Sequence, residues 1–245
     1  LVYEEAPVPV LEPGDALIKV HAAGITPTEL SWSATYTTRQ GVERLPIVPT
    51  HDVSGIVEAI TSGVSEVRIG DEVYGLADFW RDGAAAEFVA VRATDLAPKP
   101  RTLQHTQAAA VSLSALTAWQ TLFDRAELRS GQRLLIHGAA GGVGTYVVQF
   151  ARWRGTYVMG TASARHATFL RDLGTDDVID YTKGRFEDQI REVDVVLDTI
   201  GGDTLERSWG VLRRGGVLVT LAGTVSEEKA AACGVKGVFL IVKPN

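Results

Sequence analysis

Arg133-Leu-Leu-Ile-His-Gly-Ala-Ala-Gly-Gly-Val-Gly144 is the stretch on which the fold turns. An apolar run meets a glycine-dense turn. Thr145-Tyr-Val-Val-Gln-Phe-Ala-Arg152 follows, with Val143, Val147, Phe150 and Ala151 at helical spacing. A strand feeding a helix through such a turn leaves N–H groups unpaired at the helix start, where the macrodipole adds partial positive charge. That end suits an anion. The G-x-G-x-x-G consensus that seats a dinucleotide pyrophosphate reads here Ala139-Ala140-Gly141-Gly142-Val143-Gly144, with alanine at the first glycine position. Gly141 lets backbone approach phosphate, and Gly144 lets the helix pack closely on its strand.

Further strand–helix units extend the pattern. Thr156–Ala162 is apolar, and Arg165–Leu173 predicts a short amphipathic helix stopped by Gly174. Asp177–Asp180 predicts a third strand, Arg185–Glu192 a polar helix, and Val193–Asp198 a fourth strand. Leu205–Leu212 predicts a helix, and Gly216–Leu221 and Val238–Val242 a fifth and a sixth strand. Such alternation makes an α/β fold, a doubly wound parallel sheet with helices on both faces.

The first hundred residues read differently. Ala16–Ala22, Val53–Ile60, Glu72–Leu76 and Glu87–Val91 predict strands, separated by turns at Pro13-Gly14, Ser62-Gly63, Gly70-Asp71 and Asp82-Gly83. This is a β-rich unit whose strands end at Leu96-Ala-Pro-Lys-Pro100. An alanine-rich helical stretch, Thr106–Phe123, leads out of it. The expected domains are 1–110 and 111–245, with the boundary within 100–115.

The choice of nicotinamide coenzyme rests on the end of the second strand. Enzymes using NAD place Asp or Glu there, about 20 residues after the glycine turn, to take the ribose 2′-hydroxyl. Here the segment is Gly160-Thr-Ala-Ser-Ala-Arg-His166, with no acid before Asp172. Ser163 and Arg165 suit a 2′-phosphate, so the expected cofactor is NADP(H). The plainer alternative makes them a helix cap and a solvated cation.

Composition sets the remaining bounds. The 245 residues carry net charge −6, with 45% hydrophobic and 22% charged residues, which gives no electrostatic footprint for nucleic acid. No signal peptide or bilayer-length apolar run is present, so no membrane partner is expected. Cys233 is the one cysteine, and the expected setting is cytoplasmic.

In this order the pieces resemble the medium-chain dehydrogenase/reductase superfamily, in particular its zinc-free quinone oxidoreductase (zeta-crystallin-like) branch. The motifs are Pro13–Val20, Ala23-Gly-Ile-Thr-Pro27, Val48-Pro-Thr-His-Asp-Val-Ser-Gly55, Val67–Gly75, Ala115-Leu-Thr-Ala-Trp119, Gly138–Gly144 and Val195–Gly201. The resemblance implies a GroES-like β-rich N-terminal substrate domain and a Rossmann domain. It also implies a strand before residue 1 and a returning segment after Asn245, so the chain is expected to lack both.

Zinc-dependent relatives use a cysteine, a histidine in Gly-His-Glu and a third ligand. Here His51 and Asp52 keep part of that motif, but Thr26 stands near the first ligand's place, so no metal is expected. Without a Lewis acid the hydride acceptor must already be electrophilic, which means a quinone or an α,β-unsaturated carbonyl.

By motif position the resemblance places Ala140, Gly141, Gly142, Val143 and Gly144 at the pyrophosphate. Thr161, Ser163, Arg165 and Tyr181 fall at the adenosine end, although Tyr181 also reads as a rim aromatic. Thr117 matches a threonine beside the cofactor, or is an internal helix hydroxyl. Ile200, Leu221 and Ala222 end strands at the ligand-binding edge, and Phe239 and Ile241 match the segment that holds the carboxamide. The catalytic candidates are Thr26 and Tyr36. Thr26 lies in Thr26-Pro-Thr-Glu29 where the family often has Asn-Pro-x-Asp; Tyr36 is a proton donor, a substrate-facing ring or packing. Trp32, Phe79 and Trp80 shape an apolar pocket or anchor loops. A homodimer through the Val238–Val242 edge is expected. The alternatives are an NADPH-binding crystallin-like protein without turnover and a zinc alcohol dehydrogenase.

Overall fold

A computed structural model describes residues 2–244, which divide after Leu113 into two compact units; Lys243 and Pro244 group with the first. In the first unit, β1 (Asp15–Gly24) is followed by a one-turn helix α1 (Ser33–Tyr36), then by β2 (Asp52–Ile60), β3 (Glu72–Leu76), β4 (Phe88–Arg92) and β5 (Leu96–Pro98). These form one antiparallel sheet in the order β4-β1-β2-β3-β5. Alternating apolar positions such as Ala16 and Ile18 of β1 and Val53 and Val57 of β2 point into a core shared with Val73, Val89 and Val91. β5 corrects the expectation that strands stop at Leu96: the segment pairs with β3 through three residues. As an edge strand it tolerates Pro98, which has no N–H to give to a further neighbour.

The expected helix Thr106–Phe123 is also corrected. It divides into α2 (His105–Ala108), α3 (Ser112–Trp119) and a π-helical turn over Gln120–Arg125. Between the first two the backbone tightens, Ala110 and Val111 bonding three residues back to Gln107 and Ala108.

In the second unit β6 (Arg133–His137), α4 (Gly142–Arg154), β7 (Tyr157–Ala162), α5 (Ala167–Leu173), β8 (Asp177–Asp180), β9 (Val193–Asp198), α6 (Gly202–Ser208), β10 (Leu212–Thr220), α7 (Glu227–Cys233) and β11 (Lys236–Phe239) follow in order. All six strands are parallel, ordered β11-β10-β9-β6-β7-β8. One face packs Leu134, Ile136, Leu197 and Val219 under Val147, Val148 and Ala151 of α4 and Ala118 and Leu122 from the preceding helical segment. The other packs Leu135, Met159, Val196 and Leu218 against Phe186, Leu205 and Trp209. This is the expected doubly wound sheet. Its order reverses between β6 and β9, the switch point where such sheets leave a crevice at their carboxyl ends.

Three boundaries differ most from expectation, and the helix expected from Arg165 begins at Ala167. Arg185–Glu192 forms only a single 3-10 turn, Phe186–Asp188. Its buried apolar residues are Phe186 and Ile190, and Glu187 is drawn into ion pairs with Arg185 and Arg207. The Leu205–Leu212 helix ends at Ser208, tightens over Trp209–Val211, and Leu212 already belongs to β10. The last strand occupies Lys236–Phe239 instead of Val238–Val242. Its register is set by Val217–Thr220, and β10 offers nothing beyond Thr220 for Ile241 to pair with. α5 does stop at Gly174, whose φ of 114° is the left-handed cap that glycine adopts without a Cβ penalty.

Candidate functional site

The carboxyl ends of β6, β7 and β9 open onto a cavity of about 580 Å³ in the second unit. Its wall includes Ala140, Gly141, Thr161, Ser163, Arg165, Tyr181 and Ile200 of the expected set. The turn that feeds it is built as the sequence implies. Gly138 accepts the Gly141 N–H at 2.9 Å, and Gly141 accepts the first helical bond from Thr145 at 3.0 Å. The N–H groups of Gly142, Val143 and Gly144 find no acceptor among the described residues. Three open donors at the start of a 13-residue helix make an anion seat. Gly144 itself is buried, and a Cβ there would press on the carbonyls of Gly138 and Ala139. Its role is packing, as read from the sequence, and it stands outside the cavity wall with Gly142 and Val143.

Where the sequence expects the adenosine, no Asp or Glu lines the cavity among the described residues, whereas Arg165 and Arg207 do. Arg165 is exposed and spends only its Nε, 3.0 Å from His166 Nε2, leaving the rest of its guanidinium without a partner among the described residues. Arg207 is differently placed. Its guanidinium pairs with Asp203 and Glu187 and lies over the Phe186 ring at 4.8 Å from the centroid. Of the two, only Arg165 leaves guanidinium N–H groups uncommitted among the described residues.

Thr117, Leu221, Ala222, Phe239 and Ile241 lie outside this cavity's wall. Thr117 is buried in α3, Leu221 packs on the core, and Phe239 and Ile241 are 48% and 65% exposed at the sheet's edge.

Sequence reasoning missed His137, which ends β6 fully buried on the cavity wall. Burial pushes its pKa down to about 4, so the ring is neutral. The sequence places Asp198 at the end of the fourth strand, at the ligand-binding edge, but does not mark it as the organiser of the turn that follows it. That carboxylate accepts the N–H groups of Ile200 and Gly201 and the Thr220 hydroxyl, all at 2.9–3.1 Å, and so folds the turn into α6. The partners of His137 stand far away in sequence, whereas Asp198 ties its own following turn to Thr220 of β10.

In the first unit, β1 runs into a turn where Thr26 is half-buried, its hydroxyl without a partner among the described residues, and its carbonyl accepts the Glu29 N–H at 3.0 Å. Tyr36 is half-buried too, but its hydroxyl donates to the Leu30 carbonyl at 2.8 Å. Beside the turn lies an acidic and aromatic cluster whose members the sequence named separately and the fold brings together. Glu29, 3% exposed, accepts the Thr50 N–H at 2.6 Å and stands 3.3 Å from His51 Nε2. The His51 ring meets Phe79 edge-on at 5.1 Å, and Phe79 meets Trp32 at 5.6 Å, so these aromatics join in one stack. Burial raises the Glu29 pKa and lowers that of His51 to about 4. Asp52, also buried, accepts the Leu113 N–H at 2.7 Å, and burial carries its pKa up to about 7.

This donor set does not suit zinc, which takes three protein ligands at a catalytic site. His51 faces one carboxylate, Asp52 is turned onto a backbone amide, and no group of three or more His, Cys, Asp or Glu among the described residues could hold an ion. No helix among them is long and apolar enough to cross a membrane.

Fold and cavity together define a dinucleotide-binding α/β unit joined to an antiparallel β unit. Residues 12–101 match the alcohol dehydrogenase GroES-like domain family, and residues 142–242 match the zinc-binding dehydrogenase family. A probable zinc-binding oxidoreductase, mitochondrial, of Arthroderma benhamiae is 36% identical over 98% of this chain and 76% of its own length. The NADPH-dependent alkenal/one oxidoreductase, chloroplastic, of Arabidopsis thaliana is 36% identical over 89% of this chain and 58% of its own length. Among solved structures, the quinone oxidoreductase from Coxiella burnetii superposes with a TM-score of 0.89 at 32% identity, covering 98% of this chain and 78% of that one. The chain belongs to the medium-chain dehydrogenase/reductase superfamily, within its zinc-free quinone oxidoreductase-like branch. It spans from about half to three quarters of the length of such curated relatives.

Proposed function

We propose that this chain is the body of an oxidoreductase that takes NADPH and reduces quinones or α,β-unsaturated carbonyls. The observation that carries the coenzyme reading is the carboxylate-free cavity at the strand ends, with the open N–H groups of α4 beside it and Arg165 on its rim. The α4 start binds the pyrophosphate. Ser163 and Arg165 hold the 2′-phosphate through charge-assisted hydrogen bonds. When bound, the coenzyme supplies a hydride. The chain orients it, excludes water and offers hydrogen bonds to the developing oxyanion. The names of similar proteins, an NADPH-dependent alkenal/one oxidoreductase and a quinone oxidoreductase, support this acceptor class. A donor set unsuited to zinc favours acceptors that conjugation has already activated.

The test follows NADPH and NADH absorbance with a p-quinone and an enone as acceptors. Turnover with NADPH well ahead of NADH is expected, and no turnover with either acceptor overturns the reading. Arg165→Ala is expected to raise the KM for NADPH roughly tenfold or more, with NADH nearly unaffected, because only the phosphate needs that guanidinium. Equal effects on both coenzymes would remove Arg165 from phosphate recognition.

Of the two catalytic candidates we favour Thr26, whose hydroxyl is uncommitted, over Tyr36, whose proton is given to Leu30. Tyr36→Phe is expected to leave turnover nearly unchanged and to cost about 1 kcal/mol of stability in denaturant unfolding. Loss of a true proton donor would slow turnover roughly 100-fold or more. The proposal includes self-association through the free edge of β11, measurable by sedimentation.

A further inference from the structure

We infer that His137 is a positioning residue that turns the Thr161 hydroxyl into an obligate acceptor, aimed at a ribose hydroxyl of the bound coenzyme. This rests on the coenzyme reading above and assigns a role within it. His137 and Thr161 are register partners on neighbouring strands, side by side on the cavity wall. His137 Nδ1 lies 3.1 Å from Thr161 Oγ1, and Nε2 lies 3.0 Å from Ser208 Oγ.

A count of protons fixes the direction of both bonds. Ser208 has one hydroxyl proton and gives it to the Thr204 carbonyl at 2.7 Å, shorter than its contact with the ring. Ser208 Oγ is therefore an acceptor toward His137, so the ring's single proton sits on Nε2. Nδ1 is left with a lone pair and takes the Thr161 proton. Thr161 Oγ1 then presents only lone pairs to the cavity. The arrangement needs a neutral ring. Burial beneath Phe186, whose ring centroid is 4.5 Å from that of His137, keeps it so, as the lowered pKa records.

The consequence is chemical. Two phosphate-like oxygens repel each other, whereas a hydroxyl donor is welcome at an acceptor-only oxygen. Thr161 lies in the segment where enzymes using NAD carry a carboxylate, and it reproduces the acceptor half of that group without the charge. The 2′-phosphate is left to Arg165 and Ser163, while Thr161 takes the proton of a free ribose hydroxyl. Both NADPH and NADH carry such a hydroxyl, so this contact supports affinity without choosing between them.

The experiment is a double-mutant cycle on coenzyme Kd in the intact chain, with Thr161→Val, His137→Leu and the pair, titrated with NADPH and with NADH. Thr161→Val is expected to weaken both coenzymes about tenfold. His137→Leu should weaken them similarly, and the pair should be no worse than Thr161→Val alone, because both act through one oxygen. His137→Asn, whose amide oxygen replaces Nδ1 as acceptor, should restore most of the affinity. Reduced nicotinamide mononucleotide, which lacks the adenosine, should bind all variants alike. Additive losses in the cycle, or unchanged affinity in Thr161→Val, overturn the inference while leaving the coenzyme reading intact. Failure of the unmutated chain to bind either dinucleotide overturns both. A purely structural His137 would lower thermal stability without coupling to Thr161 in Kd.

Discussion

Gly141→Val is expected to fold with near-normal stability and to bind NADPH at least about 100-fold more weakly. The reasoning separates what the fold asks of this glycine from what the ligand asks. Its backbone, at φ −82° and ψ 175°, is ordinary extended geometry open to any residue. A Cβ would meet only the Gly138 carbonyl oxygen at 3.2 Å, which a slight adjustment accommodates. The residue is exposed on the cavity wall at the mouth of α4, so two added methyl groups fall where the pyrophosphate must approach. Thermal melting and coenzyme titration on the same preparation check this. A variant that melts normally and still binds NADPH like the parent would move the pyrophosphate away from this turn. Gly144 is the contrasting control: its substitution should lower stability first, because the obstructing atoms belong to the protein.

Asp52→Asn is expected to stabilise the chain above neutral pH by as much as about 4 kcal/mol, with the gain vanishing near pH 4. Burial raises the Asp52 pKa from 3.8 to about 7, so the folded state favours the protonated carboxyl. Its contribution to stability is complete below the unfolded value and is lost as pH rises through the folded one. Asparagine stays neutral throughout and keeps an oxygen for the Leu113 N–H. His51 and His137 act in the opposite sense. Each has its pKa lowered from 6.5 to about 4, so each contributes stability above pH 6.5 that is lost as pH falls toward 4. The parent should therefore be most stable in the mildly acidic to neutral range, and Asp52→Asn should extend that plateau upward. Urea unfolding from pH 4 to pH 8 provides the comparison, and parallel profiles for parent and variant would contradict it.

The sequence was most legible where one local rule dominated. β6, its glycine turn and α4 could be read because apolar run, turn and helical period follow within about twenty residues and serve one packing scheme. β3, β8 and β9 have the expected bounds for the same reason. Legibility failed where partners lie far apart. Phe186 looks like part of a polar helix until Arg207 and His137 are seen against it. Leu212 continues a helical repeat in sequence yet is captured by Val193 of β9. On the cavity wall, Ser163 and Arg165 stand where the absence of an acid draws attention to them. His137 could not be read in this way, because its partners stand 24 and 71 positions away. Glu29 was visible in its motif but not as a buried carboxyl, since its burial depends on Thr50 and His51 folding back over it.

The outer rims of the two sheets are finished differently. Pro98 denies a hydrogen to any newcomer, so a stray strand gains little purchase beyond β5. Beyond β11 nothing comparable guards the ladder among the described residues: Lys236 is the charged residue on that four-residue rim, with Phe239 half in solvent. Concentrated preparations should accordingly cluster from this side first, and a second lysine placed at Val238 would be the economical means of keeping them dispersed.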